Sequence, residues 1–151
     1  MKKKYNVILI NKKSAYNYFI IEKIESGVVL KGWEVKSLRK KQININGSYV
    51  SFYDNEAYLV NSSIEPLKYV YNNNIILKEK TRNRKLLLHR QEINYLKNKV
   101  NKMRLTIIII SIYWIKNLCK IRLGLAKGKK KYDKRLLDKK KQWDKNKKLL
   151  R

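Results

Sequence analysis

Hydrophobic patterning is strongest in the second half of the chain. Residues 105–114, LTIIIISIYW, are an unbroken apolar run rich in β-branched and aromatic side chains. Such a run predicts a strand buried on both faces. Residues 118–125, LCKIRLGL, alternate instead, with Cys119, Ile121, Leu123 and Leu125 on one face and Lys120, Arg122 and Gly124 on the other. That is the period of a half-buried strand, and Lys116-Asn117 supplies the intervening turn. Residues 85–100 carry Leu86, His89, Ile93, Leu96 and Val100 at alternating steps of three and four, which predicts a helix.

The first half is less regular. Residues 1–13 read as a basic lead-in. Residues 16–31 predict a strand pair or one long bent strand, with Gly27 as a bulge or bend. Residues 33–41 fit a short helix. Residues 48–60 predict a hairpin turning at Asp54-Asn55, since Asp and Asn tolerate turn geometry. Residues 67–80 are ambiguous around Asn72-Asn73-Asn74. Several short antiparallel strands with two or three helices give a mainly β fold with short helices, of the OB-fold-like antiparallel β-barrel kind.

Charge adds a second segment. The net charge is +27 over 151 residues, and self-repulsion of that size calls for a polyanionic partner. The last 25 residues hold 13 basic and 3 acidic side chains, which places a boundary near Lys127. The reading is a barrel over 1–126 and a basic tail over 127–151. In a helix, Tyr132, Leu136, Trp143 and Leu150 would share one stripe. A thin stripe among so many lysines predicts a tail that is unfolded alone and helical once phosphates neutralise it.

Several functions are disfavoured. The longest apolar run is too short to span a bilayer, and no targeting segment is evident, so the cytoplasm is expected and a membrane partner is not. Cys119 and His89 are the sole residues of their types, so neither a disulfide nor a zinc site is expected. His89 reads as a core or edge residue and Cys119 as a buried inert thiol. No phosphate-binding glycine loop and no assignable acid and base pair occur, so neither enzyme chemistry nor a cofactor is expected. The positive signal is three basic clusters, at 36–41, 82–85 and 127–151. Cations hold phosphates, and rings among them stack on unpaired bases, which favours RNA.

Three ordered motifs, GWEVKSLR (Gly32 to Arg39), RNRKLLLHR (Arg82 to Arg90) and GLAKGKKKYDKR (Gly124 to Arg135), carry a family resemblance. Together the chain resembles the SsrA-binding protein family, small protein B, from about Asn11 to the C-terminus. The resemblance implies an adaptor of trans-translation. Its partners would be the tRNA-like domain of transfer-messenger RNA (tmRNA), elongation factor Tu with GTP through alanyl-tmRNA, and the stalled 70S ribosome. The tail would occupy the empty mRNA channel and meet 16S rRNA at the decoding centre. A structural ribosomal or general RNA-binding protein is the alternative.

By that resemblance, Asn11, Glu25, Lys36, Arg39, Arg82, Arg84, Lys85 and Leu87 would contact tmRNA. Lys127, Lys129, Lys130, Tyr132, Asp133, Lys134, Arg135 and Trp143 would serve the ribosome, with Tyr132 stacking on a base. Blander readings stand beside these: Glu25 as a turn-stabilising surface acid, Leu87 as core. The chain departs from the family pattern at Lys78-Glu79-Lys80-Thr81, where Asp-Pro is usual, at Lys40-Lys41, and in its lysine-rich tail.

Overall fold

The computed structural model describes residues 5–70 and 74–150. Its elements in chain order are β1 (Asn6–Ile10), α1 (Lys12–Asn17), β2 (Tyr18–Val28), α2 (Gly32–Arg39), β3 (Ile43–Asn44), β4 (Tyr49–Tyr53), β5 (Glu56–Val60) and β6 (Ser63–Ile64). A 3-10 turn (Lys68–Val70) follows, then α3 (Asn74–Glu79), β7 (Arg84–Leu87), α4 (Arg90–Met103), β8 (Thr106–Ile115), β9 (Leu118–Gly128) and α5 (Lys131–Leu149).

The main sheet runs β1-β8-β4-β5-β7-β2-β9, and β9 pairs again with β8. That second pairing closes β8, β4, β5, β7, β2 and β9 into an antiparallel barrel. Closure removes the exposed edges of an open sheet. The expected mainly β barrel with short helices is therefore what forms. β1 shares the β8 edge with β4: Leu9 faces Ile112, while Tyr49 faces Ile108 further along. β3 and β6 form a separate small ribbon.

The two late strands behave as their patterns predict. In β8, Ile107, Ile109 and Ile112 point into the core, while Ile108 and Tyr113 are buried on the other face. In β9, Cys119, Ile121, Leu123 and Leu125 are all buried, and Lys116 (φ 54°) makes the turn. The β4–β5 hairpin turns at Asp54 and Asn55, both with positive φ. α2 lies where predicted.

Three expectations are corrected. The basic lead-in contains β1 and the first two residues of α1. Gly27 is no bend, because it sits in register between Leu87 of β7 and Lys120 of β9, and the β2 irregularity falls between Ile20 and Glu22. The helix expected over 85–100 begins only at Arg90. Leu86 is buried through strand β7, and His89 is the N-cap, its backbone N–H donating to Glu92 Oε2 at 2.8 Å. A strand followed directly by a helix mimicked one continuous helical face. In the ambiguous segment, Asn74 starts α3, while Asn72 and Asn73 lie outside the described residues.

One buried ionic cluster joins distant parts of the chain. Glu34 of α2 is 0% exposed, and Arg84 of β7 is 1% exposed. Glu34 Oε1 accepts from Arg84 Nε at 3.0 Å and Arg82 Nε at 2.8 Å. Its Oε2 accepts from Arg82 Nη2 at 2.6 Å and the Lys31 backbone N–H at 2.8 Å. Arg84 also donates to Ser62, Arg82 O and Lys80 O. Each guanidinium nitrogen of Arg84 finds an acceptor, as a buried charge requires. Burial lowers the Arg84 pKa and the neighbouring carboxylate opposes that shift.

Candidate RNA-binding surface

Strand register builds the outer face of the barrel. Leu87 faces Gly27, Gly27 faces Lys120, Lys120 faces Tyr113, and Tyr113 faces Val7. One row therefore crosses four strand boundaries. Two residues along β2, Glu25 faces Arg122. Side chains alternate between faces, so Glu25, Lys120, Arg122, Tyr113, Lys85 and Leu87 share this outer surface.

Gly27 makes Leu87 possible there. A Cβ on residue 27 would lie 3.2 Å from Leu87 Cδ1, so glycine lets the leucine lie across the β2 backbone. Leu87 is 57% exposed, which settles core against surface for this residue. It borders a recess of about 250 Å³ whose lining includes Gly27, Leu118 and Lys120. Lys85 projects beside it and pairs with Glu56 at 3.5 Å.

Glu25 is half-exposed and structured rather than loose. Tyr113 OH donates to Glu25 Oε2, and Lys120 Nζ lies 3.9 Å from Oε1. The Arg122 guanidinium sits 5.5 Å over the Tyr113 ring, and Tyr5 packs edge-on against that ring at 5.2 Å. Burial and the hydrogen bond to Glu25 push the Tyr113 phenol up to about 12.

The other candidates are dispersed. Asn11 donates through Nδ2 to Ile109 O at 3.0 Å and through its backbone N–H to Ile110 O at 2.8 Å. It lines a separate hollow of about 260 Å³ beside Tyr49. Lys36 and Arg39 project from α2, and Arg39 lies 5.2 Å over the Trp114 ring. Arg39 opens onto a cavity of about 540 Å³, where Tyr5, Lys41 and Lys116 also stand. Arg84 is the clear correction: its guanidinium is consumed inside the fold, so it offers no donor to a phosphate. Arg82 is largely spent on the same carboxylate.

On the tail side, β9 pairs with β2 as far as Gly128, opposite Tyr18. Lys129 donates from its backbone to Asn17 O at 2.8 Å and from Nζ to Ala15 O at 2.7 Å, and lies over the Phe19 ring. Asp133 caps α5, accepting from the Lys130 backbone N–H at 3.1 Å. Tyr16 OH donates to Asp138 Oδ2 at 3.0 Å, while Lys134 and Lys141 approach the Tyr16 ring. The tail therefore faces the barrel with Lys134, Asp138 and Lys141. The opposite stripe stays open, with Tyr132 at 69% and Trp143 at 70% exposed. Lys127, Lys130 and Arg135 are exposed as well.

Sequence reasoning missed Tyr113, Lys120 and Tyr5 beside Glu25. The alternation in β9 already placed Lys120 and Arg122 outward, but the apolar run of β8 hid Tyr113. The remaining reactive groups are quiet. Cys119 is buried and its thiol is pushed up to about 12. Among the described residues, no group of three or more His, Cys, Asp or Glu could hold a metal ion, and no helix is long and apolar enough to cross a membrane.

A small closed barrel with a cation-rich, ring-bearing outer face and a basic C-terminal helix defines the class. The SmpB protein family profile matches residues 8–150. The SsrA-binding protein of Buchnera aphidicola subsp. Schizaphis graminum (strain Sg) is 49% identical over 145 residues, covering 95% of this chain and 88% of that protein. The SsrA-binding protein of Vesicomyosocius okutanii subsp. Calyptogena okutanii (strain HA) is 45% identical over 142 residues, covering 94% and 87%. A chain from a solved structure described as "tmRNA-SmpB: a journey to the center of the bacterial ribosome" superposes with a TM-score of 0.66 at 40% identity, over 82% of this chain and 85% of that one. The chain belongs to the SmpB family.

Proposed function

We propose that this chain is a non-catalytic adaptor that binds the tRNA-like domain of tmRNA and brings it to stalled ribosomes in trans-translation. The observation that carries this reading is similarity over 95% of the chain to a protein named SsrA-binding, with an outer face that presents Glu25, Leu87, Lys85, Lys120 and Arg122 together. Cations there neutralise backbone phosphates. Asn11, Lys36 and Arg39 extend the contact to neighbouring parts of the barrel.

The tail serves the ribosome. Lys127, Lys130 and Arg135 follow 16S rRNA phosphates along the vacant mRNA channel, and Tyr132 stacks on a decoding-centre base. Lys129, Lys134 and Asp133 hold the start of the tail helix in place, and Trp143 continues the exposed stripe. Elongation factor Tu with GTP joins through the alanyl-tmRNA. The working compartment is the cytoplasm.

Two measurements test the reading. Binding to the tRNA-like domain should be nanomolar, steeply salt-dependent, and far tighter than to an unrelated hairpin of equal length; equal binding to both refutes it. Deleting residues 129–151, which spares the β2–β9 ladder, should keep that binding and abolish peptide tagging on stalled ribosomes. Tagging that survives the deletion refutes the tail assignment.

A further inference from the structure

We propose that Tyr113 is the positioning residue of the RNA surface, holding the Glu25 carboxylate to accept N–H donors from the edge of an unpaired base. The inference rests on the function proposed above and goes beyond it, because Tyr113 belongs to none of the three motifs that carry the resemblance.

A carboxylate on an RNA-binding face is a paradox. It repels phosphate and can only accept. It contributes only if it is fixed where the RNA donates. Left free, a glutamate between Lys120 and Arg122 would fold onto those cations and be lost as a surface ion pair. The structure limits that to one long ion pair with Lys120. Tyr113 OH takes Oε2, and Lys120 stays at 3.9 Å from Oε1, a loose approach. The Glu25 side chain stays 43% exposed, so a ligand can reach it.

The anchor is itself closely packed. Tyr113 is 2% exposed. Tyr5 packs edge-on against its ring, and the Arg122 guanidinium covers it. A hydroxyl held this firmly has little rotamer freedom to lose on binding. Arg122 thus does two things: it stacks on the anchor and keeps a cation beside the carboxylate for the phosphate that flanks the base.

The recess that opens at Gly27, two residues along β2 from Glu25, argues for a base rather than a ribose hydroxyl. Gly27, Leu87 and Leu118 are among the apolar walls of this recess of about 250 Å³, which suits a flat ring splayed from its stack. A base seated there would present its exocyclic amino or imino N–H groups to Glu25, while a paired base has those groups occupied. The site therefore selects for folded RNA with an unpaired base at the contact, and does not select for a plain helix.

The test uses the full chain with two probes, the tRNA-like domain of tmRNA and an unrelated hairpin of equal length. Tyr113→Phe removes one hydroxyl and keeps the ring. It should weaken binding to the tRNA-like domain about tenfold, leave hairpin binding unchanged, and leave the salt dependence unchanged, since no phosphate contact is touched. Glu25→Gln should weaken it comparably, and the double variant should be no worse than Glu25→Gln alone. A merely structural role would lower binding to both RNAs and would add to Glu25→Gln in the double variant. Tyr113→Phe with intact preference overturns the assignment of Tyr113. An intact chain with no preference between the two RNAs overturns the proposed function itself. Near-ultraviolet circular dichroism of each variant reports folding separately. If Tyr113→Phe misfolds, Tyr5→Ala, which loosens the ring while keeping the hydroxyl, should give a smaller loss with the same selectivity; a loss shared by both RNAs overturns the assignment.

Discussion

Glu34→Gln tests the ionic cluster most sharply. The substitution keeps side-chain shape and removes one charge from a site 0% exposed. Four hydrogen bonds converge on that carboxylate, three of them from Arg82 and Arg84. An amide has one acceptor oxygen, so its NH2 must confront a guanidinium donor. Arg84, 1% exposed, is left with no neutralising charge. Removing one partner of a buried pair costs about 3–5 kcal/mol. For a chain of this size each kcal/mol moves the thermal midpoint by about 2–4 °C, so a fall of roughly 6–20 °C is expected. The assay is thermal unfolding by circular dichroism, with Glu25→Gln as the half-exposed control. The double variant Glu34→Leu/Arg84→Met should recover part of the loss, because apolar packing often replaces a buried pair without cost. A Glu34→Gln midpoint within about 1 °C of the parent would refute the clamp.

Three further outcomes follow from the geometry. Gly27→Val should displace Leu87 and lower affinity for the tRNA-like domain several-fold, measured by filter binding, while the thermal midpoint moves little. Tyr132→Ala and Trp143→Ala should each leave stability within about 0.5 kcal/mol, since both rings are about 70% exposed; tagging activity should fall for Tyr132→Ala. In alkali, Tyr113 keeps its proton in the fold up to about 12, while an unfolded tyrosine loses it near 10. The unfolded state therefore releases its proton first, and the Tyr113 contribution is complete below pH 10 and lost as pH climbs toward 12. Urea titrations across that range should show a steeper decline for the parent than for Tyr113→Phe.

Much of the barrel was legible because strands announce themselves by composition and alternation. The run Leu105–Trp114 and the alternating Cys119–Leu125 needed no tertiary information. Their turn at Lys116 followed from the break between them. Other features were invisible for definite reasons. Leu86 and Val100 obey one helical period although Leu86 belongs to a strand, because a single apolar strand residue can fall in phase with the helix that follows and periodicity alone cannot separate the two. β1 was hidden by the lysines before it; its apolar side chains gain meaning only through pairing with β8.

The candidate site was half legible. Motif reading found Glu25, Leu87 and Lys85, which the register brings onto one face. It also nominated Arg84, because sequence shows charge and not burial. RNRK reads as a basic patch, yet its second arginine turns inward. Only the partner reveals this, and the partner is 50 residues away. Glu34 looks like one acid in a basic helix until Arg84 is placed against it.

That division clarifies what the recognisable motifs specify. GWEVKSLR and RNRKLLLHR meet in three dimensions, and their meeting point is Glu34 with Arg82 and Arg84. The same β7 strand then sends Lys85 and Leu87 the other way, onto the outer face. One residue of register separates a fold-holding arginine from a surface lysine. A one-residue slip in β7 would exchange them, burying Lys85 and Leu87 and exposing Arg84 and Leu86. The clamp on Glu34 opposes that slip, since Arg82 and Arg84 both reach the carboxylate in the native register. The buried salt bridge therefore specifies the surface as much as the core, and its loss should scramble Leu87 before it unfolds the barrel.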